Sequence, residues 1–382
     1  MKLSQRSGMV EQSHIRSMTR ACNALGGINM AQGVCDLEVP RAVIEGAYAA
    51  MNAGINIYTP TEGLPRLRNA IADKMKRFYD VEIVPEQVLV SDGATGAFYT
   101  ACMALLNPSD EVILFEPYYG YHRSTLTSLG VVPTFVRLEV PEWRLDLEAL
   151  EAVVTPKTKA MVICNPANPS GKVYTRDELE AIGKFAEKHD LIVFADEMYE
   201  HFLYGDAVHI TALSVASLRE RCVVLSGFSK VFSITGWRLG YTIAPTNVIE
   251  AMAQLNDLFY VCAPAPLQIG AAVGLESLGD EYYTELARIH EHKRDLFCNA
   301  LRDAGLTSSI PNGAYYVMTD VSSVAGSDDF VKAMAILEKT GVASVPGRAF
   351  YHDDAGVNMV RFCYSKPLDV LEEAAERIRK LR

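Results

Sequence analysis

The 382-residue chain lacks the marks of several broad protein classes. No apolar run approaches the ~20 residues that span a bilayer. The opening MKLSQRSGMVEQSHIRSM has no apolar core of the kind a secretory signal carries. A basic balance is absent: 47 acidic residues against 36 Lys and Arg give a formal net charge of −11. That argues against nucleic acid or an anionic membrane as the main partner, since both call for a basic surface. None of the cysteines (22, 35, 102, 164, 222, 262, 298 and 363) forms a C-x-x-C pair. They read as buried thiols in a reducing compartment, with neither a disulfide framework nor a zinc site. There is no G-x-G-x-x-G after a strand and no Walker lysine motif, so the usual nucleotide enzymes are disfavoured. Low-complexity segments and internal repeats are also missing. What remains is a soluble cytoplasmic protein.

What is present is a large supply of core. Hydrophobic residues make up 49% of the chain and charged ones 22%. Between about residues 85 and 245, short β-rich runs alternate with longer helical stretches. The runs are QVLVS (87–91), EVILFE (111–116), KAMVIC (159–164), LIVFA (191–195), CVVLS (222–226) and GYTIA (240–244). They are continuous, as expected of strands covered on both faces. The stretch 175–190 repeats Leu179, Ile182, Phe185 and Ala186 at helical spacing. The alternation predicts an α/β fold: a mostly parallel sheet between helices. The last hundred residues predict a smaller α+β unit. It has a helix over 283–305 closed by Gly305, a strand pair around 314–320 and 359–365, and a final helix over 367–382. The expected organisation is an N-terminal arm (1–38) folding against the small unit, a large unit (39–280) and a small C-terminal unit (281–382).

In an open parallel sheet, ligands bind outside the carboxyl ends of the strands. Those ends carry SDGATGAF, EPYYGYH, NPANPSG, DEMYEH and GFSK. Each has an ordinary reading. Gly93, Ala94 and Thr95 can simply start a helix, Asn168 can sit in a plain turn and Asp196 can cap a helix. Tyr119 can be core, and Lys230 can be a solvated surface residue. Together they match the needs of pyridoxal 5′-phosphate. That cofactor needs a lysine amine to form an imine with its aldehyde. It also needs a carboxylate at the pyridine nitrogen, an aromatic plate against the ring, and a phosphate cradle at a helix start aided by a cation. Arg238, eight residues after Lys230, can serve the phosphate and depress the amine pKa.

The ordered set YTPTEGLPRLRNAIA (58–72), SDGATGA, EPYYGYH, NPANPSGKV, ADEMYEHFLY, SGFSKVFSITGWRLGY and NMVRFCYS resembles the class I/II aminotransferases of fold type I. The resemblance runs over nearly the whole chain. It implies Lys230 as the imine-forming lysine and Asp196 as the partner of the pyridine nitrogen. It implies Tyr199 and Asn168 as donors to the phenolic oxygen, and Tyr119 as the stacking aromatic. Gly93, Ala94 and Thr95 with Arg238 become the phosphate cradle, and Arg361 and Gly33 hold the substrate α-carboxylate. Tyr58 is implied to reach the phosphate of a neighbouring subunit, hence a homodimer. The sequence departs from the family at Gly227, where serine is common. Ser229 or Ser233 is then left to replace that phosphate contact. Cys35 stands where proline is usual.

The implied activity is ping-pong transfer of an amino group from an L-amino acid to a 2-oxoacid. A C–S β-lyase on the same fold and a non-catalytic pyridoxal-phosphate sensor are the alternatives. Metal chemistry is not expected, and His290 and His292 read as a solvated helix surface. No second arginine presents itself for a side-chain carboxylate. Tyr118, Tyr121, Tyr315 and Phe350 can line a pocket, which favours neutral, aromatic or sulfur-containing substrates.

Overall fold

In the computed structural model, which describes residues 1–4, 6–9, 13–35 and 37–382, the continuous apolar runs become strands of one large sheet. Of the expected arm 1–38, residues 5, 10–12 and 36 lie outside the described residues. Helices α1 (His14–Ala24), α2 (Arg41–Asn52) and α3 (Pro65–Tyr79) lead into β1 (Val88–Ser91) and α4 (Gly93–Leu105). There follow β2 (Glu111–Glu116), α5 (Gly120–Ser128), β3 (Val132–Arg137), β4 (Thr158–Cys164) and α6 (Arg176–His189). Next come β5 (Ile192–Asp196), β6 (Cys222–Gly227) and β7 (Gly240–Ile243). The strand order is β1-β7-β6-β5-β4-β2-β3. Pairing is parallel from β3 through β6, whereas β7 runs antiparallel to both its neighbours.

Successive side chains on each strand enter different cores, which is why no alternation shows in the sequence. Val88, Val90, Ile113, Met161 and Val193 enter one, and Leu89, Val112, Leu114, Val162 and Phe194 the other. Strand β3 was not expected. It lies at the sheet edge, half-buried and carrying Pro133, and a proline is tolerated there because the outer N–H has no ladder partner. Helix α6 forms where its apolar spacing predicts. Thr175 and Glu178 close a capping box at its start, through Glu178 N to Thr175 Oγ1 (3.2 Å) and Thr175 N to Glu178 Oε2 (2.9 Å).

Helices α7 (Thr246–Tyr260), α8 (Ala265–Ser277) and α9 (Asp280–Asp303) lead to the second sheet. It is built from β8 (Thr307–Ser308), β9 (Tyr316–Asp320), β10 (Val345–Pro346) and β11 (Met359–Cys363). Helix α10 (Asp329–Thr340) lies between β9 and β10, and α11 (Leu368–Arg379) closes the chain. The expected strand pair is β9 with β11, antiparallel, with Met318 opposite Arg361. Ile28–Asn29 pairs with Val342–Ala343, and Cys363 N donates to Met30 O at 2.7 Å, so the opening segment lies against this sheet. One expectation is corrected on α9. His292 is exposed, but His290 is buried, its Nδ1 donating to Leu286 O (2.8 Å) and its Nε2 paired with Ser365 Oγ (3.0 Å). Two residues apart on a helix is far enough to separate core from solvent.

Candidate active site

The carboxyl ends of β4, β5 and β6 lie side by side: Cys164 is in register with Asp196, and Asp196 with Leu225. Asp196 is the last residue of β5, and Asn168 and Lys230 follow the ends of β4 and β6. With Arg238, Arg361 and the start of α4 they line a cavity of about 660 Å³.

Lys230 lies just beyond β6, and its Nζ donates to Gly33 O at 3.0 Å. Burial pulls the ammonium below the ordinary lysine range. Cys363 and Cys35 oppose that shift, and Arg238 and Arg361 add to it. Gly33 is held on the other side by Tyr316, whose hydroxyl occupies the place a Cβ would take. Asp196 ends β5, buried to 8% exposure, with Oδ2 3.1 Å from His122 Nε2 and Oδ1 accepting from Met198 N at 3.2 Å. His122 in turn stands edge-on to Tyr119, at 5.3 Å between ring centres. The sequence reading missed His122 although it lies in the quoted EPYYGYH. A histidine three residues past an aromatic has no signal of its own until a carboxylate is seen facing it.

Tyr199 is buried, and its hydroxyl pairs with that of Tyr316 at 2.8 Å. Arg361 is 1% exposed. Its Nη1 donates to Asn168 Oδ1 (2.9 Å) and its Nη2 to Ala31 O (2.7 Å), while the buried Nε has no partner among the described residues. A buried, unpartnered guanidinium N–H beside a cavity is a donor waiting for an acceptor. Tyr316 supports the guanidinium from its ring face, 4.4 Å from centroid to Cζ.

At the start of α4, Gly93 adopts φ +70° and packs against the Arg238 guanidinium, where a Cβ would collide. Asp92 gives α4 no side-chain cap, so the first N–H groups of the helix are open to an anion. Gly240 lets β7 approach closely: a Cβ there would lie 2.5 Å from Ala94 N. Arg238 itself sits in the left-handed region (φ 54°), Nη1 donating to Thr235 O at 2.9 Å. Ser229 lines the cavity; Ser233 does not, and donates to Cys35 Sγ at 3.4 Å. Of the two serines named for the contact at Gly227, only Ser229 therefore faces the cavity.

Tyr58 stands apart, 80% exposed, in a separate surface hollow beside Cys262 and Pro264. The expected aromatic lining also changes. Tyr121 does line the cavity, stacked on Tyr119 at 5.3 Å and 20°. Tyr118, Tyr315 and Phe350 are buried and do not line it; they belong to the packing behind its walls. Tyr316, one residue further along β9, takes the position foreseen for Tyr315. Strand alternation decides which of two neighbouring tyrosines faces the cavity. Arg16 and Arg20 of α1 also line it.

Behind the turn that carries Asp196 and Tyr199 lies a buried polar network. Glu200 accepts from Lys74 Nζ, from Tyr79 OH (2.5 Å) and from Ser226 Oγ (3.0 Å). Lys74 Nζ also donates to Tyr241 OH at 2.8 Å. Burial alone would raise the Glu200 carboxyl, yet the adjoining Lys74 ammonium brings it down to about 2. Burial holds the neighbouring His201 neutral, down to about 3. Glu197 accepts from Ala212 N at 2.8 Å and pairs with His209. The cavity-facing turn is thus tied from behind to α3, β6 and β7.

Residues 26–378 match the family model of aminotransferase class I and II. The chain is similar to the aspartate aminotransferase of Bacillus subtilis (strain 168), 34% identical over 100% of this chain and 98% of the relative. It is also similar to aromatic-amino-acid aminotransferase 2 of Thermococcus litoralis, 33% identical over the same shares. Among solved structures it is similar to the Escherichia coli protein YbdL, identified as having a methionine aminotransferase function. The TM-score is 0.95 at 29% identity, covering 100% of both chains.

Proposed function

We infer how this chain, which belongs to the class I and II aminotransferases and depends on pyridoxal 5′-phosphate, uses its site to move an amino group from an amino acid to a 2-oxoacid. The residues present fit the cofactor. An amine of depressed pKa, a buried carboxylate, an open helix start beside an arginine, and an orphaned guanidinium N–H all face one cavity. When bound, pyridoxal phosphate supplies an aldehyde that condenses with amines and a ring that takes up the electron pair left at the substrate Cα.

Each residue then has a task. Lys230 Nζ would hold the aldehyde, and as a free amine it would carry the Cα proton. Its lowered pKa favours the neutral amine that both roles use. Asp196 holds a proton at the ring nitrogen, and His122 fixes the carboxylate for it. Tyr199 and Asn168 would donate to the phenolic oxygen, and Tyr119 would pack on the ring. The N–H groups of Gly93, Ala94 and Thr95, with Ser229 and Arg238, hold the phosphate. Arg361, pre-set by Asn168, grips the α-carboxylate together with the Gly33 backbone, a role suited to a planar fork.

The substrate side chain lies toward Tyr119 and Tyr121, a wall suited to neutral, aromatic and sulfur-containing groups. The protein works as a homodimer in which Tyr58 serves the partner's phosphate. Supporting this, Ile44, Tyr48 and Met51 form an exposed stripe on α2, and Ile57, Tyr58 and Leu258 are each at least 78% exposed. We divide the chain into an arm (1–38), a large unit (39–280) and a small unit (281–382), and place it in the cytoplasm, where its free cysteines stay reduced.

The observation that carries the reading is that Lys230, Asp196, Arg238 and Arg361, from three separate segments, face one cavity. Purified protein given pyridoxal phosphate is expected to turn yellow, to be fixed in that state by borohydride, and to bleach on addition of an amino acid. A new amino acid is the expected product; ammonia with pyruvate would indicate the lyase instead. Lys230→Ala is expected to lose covalent fixation and to slow the half-reaction about 10²–10⁴-fold, the usual worth of a positioned general base. Wild-type turnover by Lys230→Ala would overturn the assignment.

A further inference from the structure

Two buried hydroxyls meet at the cavity wall. Tyr199 lies on the turn after β5, Tyr316 opens β9, and both line the cavity. Their oxygens are 2.8 Å apart. Burial pushes both phenols above the ordinary tyrosine range, so each keeps its proton. Around Tyr316 stand Tyr119, Tyr315, Cys363 and Arg361; the guanidinium draws the phenol down, but by less than burial raises it. A hydroxyl holds one proton, so only one of the pair donates to the other. On the functional reading above, the Tyr199 proton goes to the cofactor's phenolic oxygen. The contact between the two tyrosines is then kept only with Tyr316 as donor. The opposite order would turn a Tyr199 lone pair on the phenolic oxygen.

The ring of Tyr316 has a partner of its own. In the pairing of β9 with β11, Tyr316 stands opposite Cys363, which makes Arg361 its diagonal neighbour on the same face. The guanidinium Cζ lies 4.4 Å from the ring centre. One side chain thus meets the phenolic-oxygen donor with its hydroxyl and the carboxylate fork with its face.

We propose that Tyr316 is a positioning residue with two separable tasks: its hydroxyl donates to Tyr199 and so fixes the direction of the Tyr199 proton, and its ring backs Arg361. This rests on the functional reading above and deepens it. A donor at the phenolic oxygen draws off negative charge that otherwise holds a proton on the adjoining Lys230 nitrogen. A Tyr199 hydroxyl that itself accepts a hydrogen bond is the stronger donor, because bonds in a chain polarise one another. Tyr316 therefore makes the Lys230 nitrogen easier to deprotonate by acting through Tyr199.

The test uses the pyridoxal-phosphate-loaded protein. It reads the pH midpoint of the visible absorption change, and by calorimetry the affinity for 3-phenylpropionate, a non-reacting carboxylate. Tyr316→Phe removes the hydroxyl and keeps the ring. The midpoint is expected to rise by about half a unit, part of the worth of one hydrogen bond, with 3-phenylpropionate held within about two-fold. Tyr316→Leu removes the ring as well. Its midpoint should rise by a similar amount, and the ligand should weaken roughly five-fold, as expected for a lost cation–π contact. In a Tyr199→Phe background the midpoint has already risen, and adding Tyr316→Phe should move it by less than about 0.2 unit. A midpoint unmoved by Tyr316→Phe, or moved equally in both backgrounds, would overturn the proposal. So would a Tyr316→Phe protein that loses ligand affinity along with its midpoint, the sign of a merely structural residue. Each of these results in a loaded protein leaves the functional reading standing. Wild-type protein that takes up no pyridoxal phosphate would overturn that reading, and this proposal with it.

Discussion

Replacing Glu200 by glutamine should unfold the protein more than any change on its surface, and should do so through Lys74. The substitution keeps the shape and one acceptor oxygen, enough for Tyr79 (on Oε2) or Ser226 (on Oε1) but not both, and it leaves the Lys74 ammonium, 5% exposed, without its counter-charge. Breaking one side of a buried pair costs about 3–5 kcal/mol, because the remaining charge cannot be rehydrated. Proton linkage gives a figure of the same order. A carboxyl brought from 4.5 to about 2 contributes on the order of 3 kcal/mol. Because the folded value is the lower one, this stability is complete above pH 4.5 and is lost as pH falls toward 2. His201 acts in the same sense from a higher starting point. Held neutral down to about 3 against an ordinary 6.5, it makes acidification below 6.5 favour the unfolded chain. The assay is urea denaturation of the apo-protein at pH 7, followed by far-UV circular dichroism, for Glu200→Gln, Lys74→Met and the double variant. Each single change should shift the midpoint by the full penalty at unaltered slope. The double variant removes both charges and should recover at least half of it. A Glu200→Gln midpoint within about 1 kcal/mol of wild type, or strictly additive losses, would refute the argument.

Three other outcomes are expected. Arg361→Lys should lower kcat/KM for neutral and acidic amino acids alike, by roughly 10–100-fold, since an ammonium cannot reproduce the fork held by Asn168 and Ala31; an effect confined to one substrate class would count against the α-carboxylate role. Gly227→Ser should fail to restore a phosphate contact and should destabilise by about 1–3 kcal/mol, because a Cβ there meets Gly240 Cα and Leu239 O at 2.9 Å; denaturation midpoint and cofactor affinity measured together check this. Tyr58→Phe should leave the dimer intact by analytical ultracentrifugation yet weaken pyridoxal phosphate about ten-fold, the worth of one charge-assisted hydrogen bond; unchanged affinity would remove Tyr58 from the partner's site.

Much of the large sheet could be read from the chain because its strands are buried on both faces and so appear as unbroken apolar runs. The run 111–116 coincides with β2 to the residue. Strand β3 escaped for the converse reason: at the edge, half-exposed and holding Pro133, it has neither the run nor the alternation. The antiparallel direction of β7 also leaves no trace in its composition, since a strand reads the same whichever way its neighbours run. Asn168, Asp196 and Lys230 were legible together because each ends or follows a strand whose carboxyl end opens on the ligand edge.

Residues that face the cavity from outside that edge had no such signal. Whether Tyr315 or Tyr316 faces in depends on the pleat of β9, which is set by its register with β11 and not by the pair itself. Arg16 depends on a longer chain of contacts. Helix α1 lies beside the cavity because Ile28–Asn29 pairs with Val342–Ala343 and Met30 O accepts from Cys363 N. These contacts join the two ends of the sequence. The residues proposed to hold the cofactor are therefore local to strand ends and readable as motifs, while the α1 side of the cavity is assembled by tertiary pairing.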